Sequence, residues 1–593
     1  MDKKEFKADP ERVEAARKIL DGKSAKVYKT TRSGFTTSAV IAAKESGKRI
    51  LCISPTNRII THTIKKASVE SAIQVAANCF CSKVVEVVKK DKFLRKLPII
   101  LPPCIECNRY GVCPVTEILT AYDPHVIGIT YKKLETLMLS KSEIAEQVRE
   151  ELSKMDIVMP DEAHTIALPQ VVRVKAFAEI DIPEDFTTLR KVLEKWLDFN
   201  AEKNSAIDDM KQEGDKGHLV KHLSKRVAND QPLSFEWISA AWEELFKMAR
   251  RRHELGISEE DILTLRDMIS LMSGSFVAIT YIKENDGSEG SVYLTGNYWI
   301  SHRALNEFLT KYASSATHLY VSGTLIEPSK DYYTNLSDKD VIDAFYPDLR
   351  RTNSKMSIYP DRWRVSSRNF NGWIDRISSR IIEIRNENKG REAYIVAPSA
   401  KKAEVLKKRL EETLGFEMPV DYYRSDQTMG VETKSRICIA IGLAEVPSNT
   451  YDHQARGKDG EERWINSQQL RQESVQAASW QTWSRVKDPE GKEERKVYCI
   501  GVRADQIRDV VAWGAGRRME LIELKEYKLP DGTDGRRPIF RVVVEKLIEP
   551  PIVYAEERTS NRLDRHNAGE YIDRIGEFNF DNLYYQFMGN MPG

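Results

Sequence analysis

The chain has no long apolar run: stretches such as Ile157-Val158-Met159 are far short of the ~20 residues that span a bilayer, so no membrane role is expected. It also has almost no excess of either charge. Lys plus Arg number 91 against 89 Asp plus Glu, a formal charge of +2, so whole-chain basicity does not announce a nucleic acid and any binding groove must be local. Internal repeats and low-complexity tracts are absent, which excludes a solenoid or a disordered scaffold. Met1-Asp2-Lys3-Lys4-Glu5 opens on mixed charge instead of a hydrophobic signal core; export is not expected, and a reducing cytoplasm is the expected compartment. Disulfides are therefore the wrong first reading of the eight cysteines. Cys52, Cys438 and Cys499 sit in apolar β-like runs and read as small buried hydrophobes.

What is present is a long chain with an alternating rhythm. At 593 residues it is expected to form roughly two to four domains, each with its own core. Lys26-Val27-Tyr28 reads as a strand, Thr36 to Lys44 as a helix stopped by Gly47, and Arg49 to Ile53 as a second strand ending at Pro55. This is the βαβ rhythm of a parallel sheet, whose ligands bind at the carboxyl ends of the strands. The rhythm breaks between about Ser71 and Tyr122, a Lys-rich, Cys-bearing segment, and resumes at Val126 to Thr130 and Met155 to Met159. From about Pro169 to Gly287 the pattern is charged and helical, which predicts a second, α-helical insertion. Strand character returns at Thr317 to Val321. A second βαβ series begins at Ala393 to Ala397, followed by a helix with Ala403, Leu406, Leu410 and Leu414 on one face and Gly415 at its end.

A phosphate-binding loop reads G-x-x-x-x-G-K-[ST], in which glycines admit backbone N–H groups to the phosphates, Lys reaches the β and γ oxygens and the hydroxyl holds magnesium. The corresponding stretch here is Lys29-Thr30-Thr31-Arg32-Ser33-Gly34-Phe35-Thr36. Gly34 and Thr36 are retained, Lys29 replaces the first glycine and Phe35 replaces the lysine. Loss of one preorganised transition-state donor costs roughly 3 to 4 kcal/mol, so the charge of Lys29 or Arg32 would have to substitute. Asp161-Glu162-Ala163-His164 follows an apolar strand and so places its carboxylates at a strand's carboxyl end. Asp161, with Thr36, is the expected magnesium holder, and Glu162 the residue that orients or deprotonates the attacking water. Pro160 removes a backbone donor where that strand meets the site.

Cys104-Ile105-Glu106-Cys107 and Cys113-Pro114 place three thiols in one Pro-bounded loop, with Cys79 and Cys81 upstream competing for a fourth position. Zinc and plain core cysteines are the alternatives. Structural zinc favours two C-x-x-C pairs, whereas one pair, one following Cys and a remote fourth, preferably Cys81, fit a Cys-ligated iron-sulfur cluster better.

In this order the motifs resemble those of the XPD/DinG family of superfamily 2 DNA helicases. Ile53-Ser54-Pro55-Thr56, Ile129-Thr130-Tyr131, Val321-Ser322-Gly323-Thr324-Leu325, Ile437 to Pro447, and Gln481-Thr482-Trp483-Ser484-Arg485 are similar to family motifs, as are Asp488 and Gly491 to a D-x-x-G. The resemblance implies an α/β fold of two RecA-like parallel-sheet motor lobes, the first interrupted by an iron-sulfur insertion and a helical Arch-like domain. The expected divisions are residues 1–75, 121–168 and 301–335 for the first lobe, 76–120 for the iron-sulfur insertion, 169–300 for the Arch-like domain and 336–593 for the second lobe with a C-terminal extension. It further implies a 4Fe-4S cluster on Cys81, Cys104, Cys107 and Cys113, and magnesium-ATP held by Lys29, Arg32, Ser33, Gly34, Thr36 and His164. Asp161, Glu162, Gln481 and Arg485 become the catalytic set, with Arg485 as arginine finger.

The activity implied is ATP-dependent translocation on single-stranded or forked DNA, 5′ to 3′, by a monomer in DNA repair or replication. Tyr131 with Lys132 and Lys133, Arg109 with Tyr110, and Trp480 with Trp483 are candidate stacking platforms. Departures from the family pattern are Phe35 for Lys, Ser484 for Gly, Ala444 for Pro, the lack of a second Arg after Arg485, and the lack of a Q-motif glutamine around Glu11 to Leu20. They keep open an ATPase-deficient nucleic-acid-binding scaffold. An iron-sulfur nuclease is a weaker alternative, because no carboxylate-carboxylate-lysine constellation lies near the cysteines.

Overall fold

A computed structural model of the chain describes residues 9–29, 34–67, 72–74, 90–91, 93–97, 124–141, 143–167, 170–175, 180–194, 222–223, 234–273, 277–282, 291–298, 300–323, 325–326, 332–346, 356–360, 365, 370–425, 435–446, 450–451, 454, 467–486, 494–503, 505–507, 509–511, 513, 522–527 and 539–544. Arg32, Ser33, Cys79, Cys81, Cys104, Cys107, Arg109, Tyr110, Cys113, Thr324, Asp488 and Gly491 lie outside the described residues.

Strands β1 (Ala25–Tyr28), β2 (Ile50–Ser54), β3 (Ala72–Gln74), β4 (Val126–Thr130), β5 (Ile157–Pro160), β10 (Thr317–Ser322) and β11 (Ile342–Phe345) form one sheet in the order β11-β1-β10-β5-β2-β4-β3. Every pairing in it is parallel. β2 and β4 are buried along their whole length, which is why they read as continuous apolar runs instead of alternating ones. Val13, Ile19 and Leu20 of the helix Pro10–Leu20 and Ala39, Val40 and Ala43 of the helix Phe35–Glu45 pack over Val27, Ile50 and Cys52. Leu134, Leu137 and Val148 fill the other face with Ile127, Ile129 and Tyr320.

The second lobe repeats the plan. β14 (Val420–Tyr422), β13 (Ala393–Ala397), β15 (Ile437–Ile441), β16 (Arg495–Ile500) and β12 (Met356–Pro360) run parallel in that order. β18 (Ile539–Val544) then joins β12 antiparallel, and β17 (Ile522–Tyr527) joins β18. The strand-like segment from Phe540 thus extends this sheet. The helix Ala400–Leu414 buries Ala403, Leu406 and Leu410 and ends at Gly415 with φ +73°, as its period and cap predict. The fold is α/β, with two RecA-like parallel-sheet lobes.

Two expectations are corrected. β11 belongs to the first sheet and lies past the boundary expected at 335; the Lys26–Asp343 ion pair at 2.8 Å ties it to β1, a contact no local pattern announces. The segment expected to be helical is helical only in part. Its helices Phe235–Arg250 and Glu259–Leu271 accompany an antiparallel sheet, β6 (Gln170–Lys175), β9 (Ser291–Tyr298), β8 (Val277–Ile282) and β7 (His222–Leu223). Arg173 and Lys175 within β6 gave that strand the charge pattern of a solvated helix face. Glu135 anchors this segment to the first lobe: it is buried and accepts bonds from Lys132, Tyr298 and Ser301.

Candidate active site

In the first sheet β10 lies between β1 and β5, so the carboxyl ends of three strands meet at one place. Lys29 follows β1, Ser322 ends β10 and Asp161 follows β5. Asp161 is fixed by its own backbone: its N–H donates to Ile53 at 2.7 Å on the β2 side, and it pairs as an isolated bridge with Val321 on the β10 side. Pro160 brings no donor to the β10 side, and the ladder there closes again when Ala163 N–H donates to Val321 at 3.1 Å. Tyr131 donates its hydroxyl to the Asp161 carbonyl at 2.9 Å. Glu162 sits at φ +53°, a left-handed conformation that costs a non-glycine residue roughly 1–2 kcal/mol and turns the chain sharply after the strand.

Lys29 reaches the site, which its position alone could not establish. Its Nζ lies 2.9 Å from Asp161 Oδ1 and 3.1 Å from Thr36 Oγ1, while Thr36 donates to Asp161 Oδ2 at 3.2 Å. The lysine side chain is 11 % exposed and the aspartate's 4 %. Burial opposes the ammonium, but Asp161 and then Glu162 more than offset this and raise its pKa above the ordinary lysine value. Phe35, standing at the usual lysine position, is 0 % exposed and meets the Tyr346 ring edge-on at 4.8 Å. It is a core plug and takes no part in the site. Gly34 holds φ +84° at the start of the helix Phe35–Glu45, a backbone only glycine adopts cheaply.

A magnesium ion needs oxygen ligands at about 2.0–2.1 Å. The residues that would hold it, Asp161 and Thr36, are already joined by the Lys29 ammonium, so magnesium does not fit between them while that side chain is in place.

Glu162 Oε2 accepts from Ser322 Oγ at 3.1 Å, and His164 Nδ1 lies 2.8 Å from the same hydroxyl. The tautomer that satisfies both bonds carries its proton on Nδ1. Burial above all, and Asp161, raise the Glu162 pKa above the ordinary carboxylate value despite the opposing pull of Lys29, Arg485 and Ser322.

Arg485 follows the helix Ser467–Trp483 in the second lobe and is 3 % exposed. Burial lowers its pKa, and the charges within its electrostatic reach include Tyr394, Glu162 and Asp421. Arg424, which the sequence reading missed, sits at φ +65° after β14 and donates to Ala444 O at 3.2 Å and Ser474 Oγ at 2.9 Å. Its charge depresses His164, so it lies within electrostatic reach of the site. No motif signals it; only the turn geometry does. Gln481 is buried on the same helix as the tryptophans. Tyr131, Trp480 and Trp483 are core residues and are corrected from stacking candidates: each is buried, and Trp483 Nε1 donates to Tyr423 at 3.4 Å. Lys132 is engaged by Glu135 and by Tyr298 at 2.5 Å. Cys52, Cys438 and Cys499 are buried and outside any disulfide, as expected.

No protein-family model and no curated protein matches the chain. Among solved structures it is similar to an XPD helicase at 13 % identity, with 85 % of this chain and 95 % of that chain covered and a TM-score of 0.47. It is also similar to Xpd4 of S. tokodaii at 13 % identity, covering 84 % and 98 %, with a TM-score of 0.42. A third is the DUF1998 helicase MrfA bound to DNA, at 10 % identity, 84 % and 49 % coverage and a TM-score of 0.36. The structures it resembles are helicases. Among the described residues no helix is long and apolar enough to cross a membrane.

His164 and His318 make the fold acid-sensitive. Burial first, then Arg424, push His164 down to about 4, and burial pushes His318 down to about 4 as well. The unfolded chain then binds more protons than the folded one between the ordinary histidine value of 6.5 and about 4. Stability is full above that window and falls as pH drops through it, by about 3 kcal/mol per histidine at its lower end. Glu162, raised in the folded state, works in the opposite sense and recovers part of the loss. Urea midpoints should fall on acidification across this window, and His318→Gln should flatten the fall; a pH-independent midpoint would contradict the assignment.

Proposed function

We propose that the chain is a nucleic-acid motor of helicase type, which binds and hydrolyses ATP between its two lobes. The observation that carries this is the cluster of Lys29, Thr36, Asp161 and Glu162 at the carboxyl ends of one sheet's strands, with Arg485 of the other sheet within electrostatic reach of Glu162. Lys29 supplies the positive charge that Phe35 does not. The backbone N–H groups at the start of the helix Phe35–Glu45, whose N-cap Gly34 offers no side-chain cap, would receive phosphate, with Arg32 and Ser33 preceding them in sequence. Glu162 holds and deprotonates the attacking water, and Ser322 keeps it aimed while relaying its state to His164. Arg485 stabilises charge on the transferred phosphoryl group when the lobes close.

The finer reading follows the motif order: translocation on single-stranded or forked DNA, 5′ to 3′, in repair or replication, by a monomer. An iron-sulfur cluster on Cys104, Cys107, Cys113 and Cys81, with Cys79 as the alternative fourth ligand, would brace the insertion beside the strand. A cluster of this kind supplies rigidity without electron transfer. Absorbance near 400 nm and iron content after anaerobic purification test it, and stoichiometric zinc without iron sinks it.

The motor is tested by ATP turnover with and without single-stranded DNA, comparing the native chain with Glu162→Gln. DNA-stimulated turnover is expected, and the substitution should lower it at least a hundredfold, about the cost of one transition-state group. No turnover in the native chain with DNA binding intact would instead support the second reading, a scaffold that retains the fold. That reading is favoured by one observation, the commitment of Phe35 to the core.

A further inference from the structure

We propose that Lys29 is a built-in cation occupying the seat of the divalent ion, so that the site takes its nucleoside triphosphate without one. The proposal rests on the nucleotide reading for the identity of the ligand, but the occupancy of the seat stands on geometry alone. Two oxygen-bearing side chains that would share a metal, Thr36 and Asp161, both contact the same ammonium, at 3.1 and 2.9 Å. Thr36 spends its own proton on Asp161 Oδ2 at 3.2 Å, so the hydroxyl turns its lone pairs toward Lys29. The three groups form a closed set in which each polar atom has a partner.

The backbone holds this arrangement in place. Lys29 follows β1, which is paired on both sides, by β10 and β11, and the Lys26–Asp343 ion pair at 2.8 Å fastens the outer neighbour. Asp161 is held by Ile53 and Val321. A carboxylate buried to this degree requires a cation, and the chain supplies one itself. The substitutions at the loop's two ends then belong together. A lysine has moved to the first glycine's position, where it takes up the charge balance of Asp161, and the vacated lysine position has become the core residue Phe35. A tethered ammonium offers three donors directed by its bonds, so two remain with Asp161 and Thr36 and the third faces the incoming phosphate.

The test uses the full chain and two probes. Manganese alone is titrated and the free ion followed by electron paramagnetic resonance; ATP binding is measured calorimetrically in excess magnesium and in EDTA. The native chain should show no manganese uptake that Asp161→Asn removes, and its ATP affinity should change by less than about threefold between the two buffers. Lys29→Met should gain a manganese site and become dependent on divalent ion for ATP by about tenfold or more. Uptake of one manganese by the native chain that is lost in Asp161→Asn overturns the proposal, as does a tenfold loss of ATP affinity in EDTA. If Lys29→Met does not fold, the native-chain arms decide alone, and Lys29→Met with Asp161→Asn, which removes both charges, serves as the folded control without a metal site. Absence of ATP binding in both buffers, with manganese still excluded, upholds Lys29 as the internal cation and sinks the motor reading instead.

Discussion

Arg485→Met should abolish ATP turnover while leaving the fold intact. An arginine that meets a transferring phosphoryl group from the opposite lobe is worth on the order of a thousandfold or more in rate, and Arg485 is the buried guanidinium whose charge is felt by Glu162. Methionine preserves most of the volume of this buried side chain, so the core around it should stay packed. Arg485→Lys should not rescue, because an ammonium lacks the planar fork that grips two phosphate oxygens at once. Single-turnover hydrolysis beside a thermal melt reads both effects. Native turnover in a folded Arg485→Met would show that Arg485 contributes nothing to the chemistry.

Writing the loop back to its usual form with Phe35→Lys should damage the protein instead of repairing it. Phe35 packs among Val13, Ile19 and Val27 against the edge of Tyr346. Removing a buried phenyl group costs about 3–5 kcal/mol, and an ammonium placed there is taken out of water. Phe35→Leu, which keeps the site apolar, should cost about 1.5 kcal/mol or less. Urea unfolding separates the two, and nucleotide affinity should not rise in either. A Phe35→Lys protein as stable as the native one, with tighter ATP binding, would mean that this position faces the phosphate loop after all.

Much of this site was legible because its chemistry is carried by short runs next to strong strands. Ile157-Val158-Met159 reads as a buried strand, so the carboxylates after it are placed at a strand's end before any coordinates are known. The same logic places Gly34 at a turn and Thr36 on the helix behind it. Aromatic residues were less legible. Tyr131, Trp480 and Trp483 have the composition of a stacking surface, and only burial distinguishes a platform from a core. β6 was missed because two charges within a short strand resemble the solvated face of a helix.

The sequence by itself determined the α/β rhythm, the parallel sheets, the buried cysteines and the two ends of the candidate site, since each depends on neighbours a few residues apart. Tertiary structure decided what those ends do to each other. Lys29 and Asp161 are separated by 132 positions, and they meet only because β10 inserts between β1 and β5 and aligns three carboxyl ends. Arg424 and Arg485 come from the other sheet, and no spacing along the chain reports which face of a lobe looks across a cleft. Whether a displaced lysine restores a missing charge is a question of reach, and reach is settled by the order of strands in a sheet.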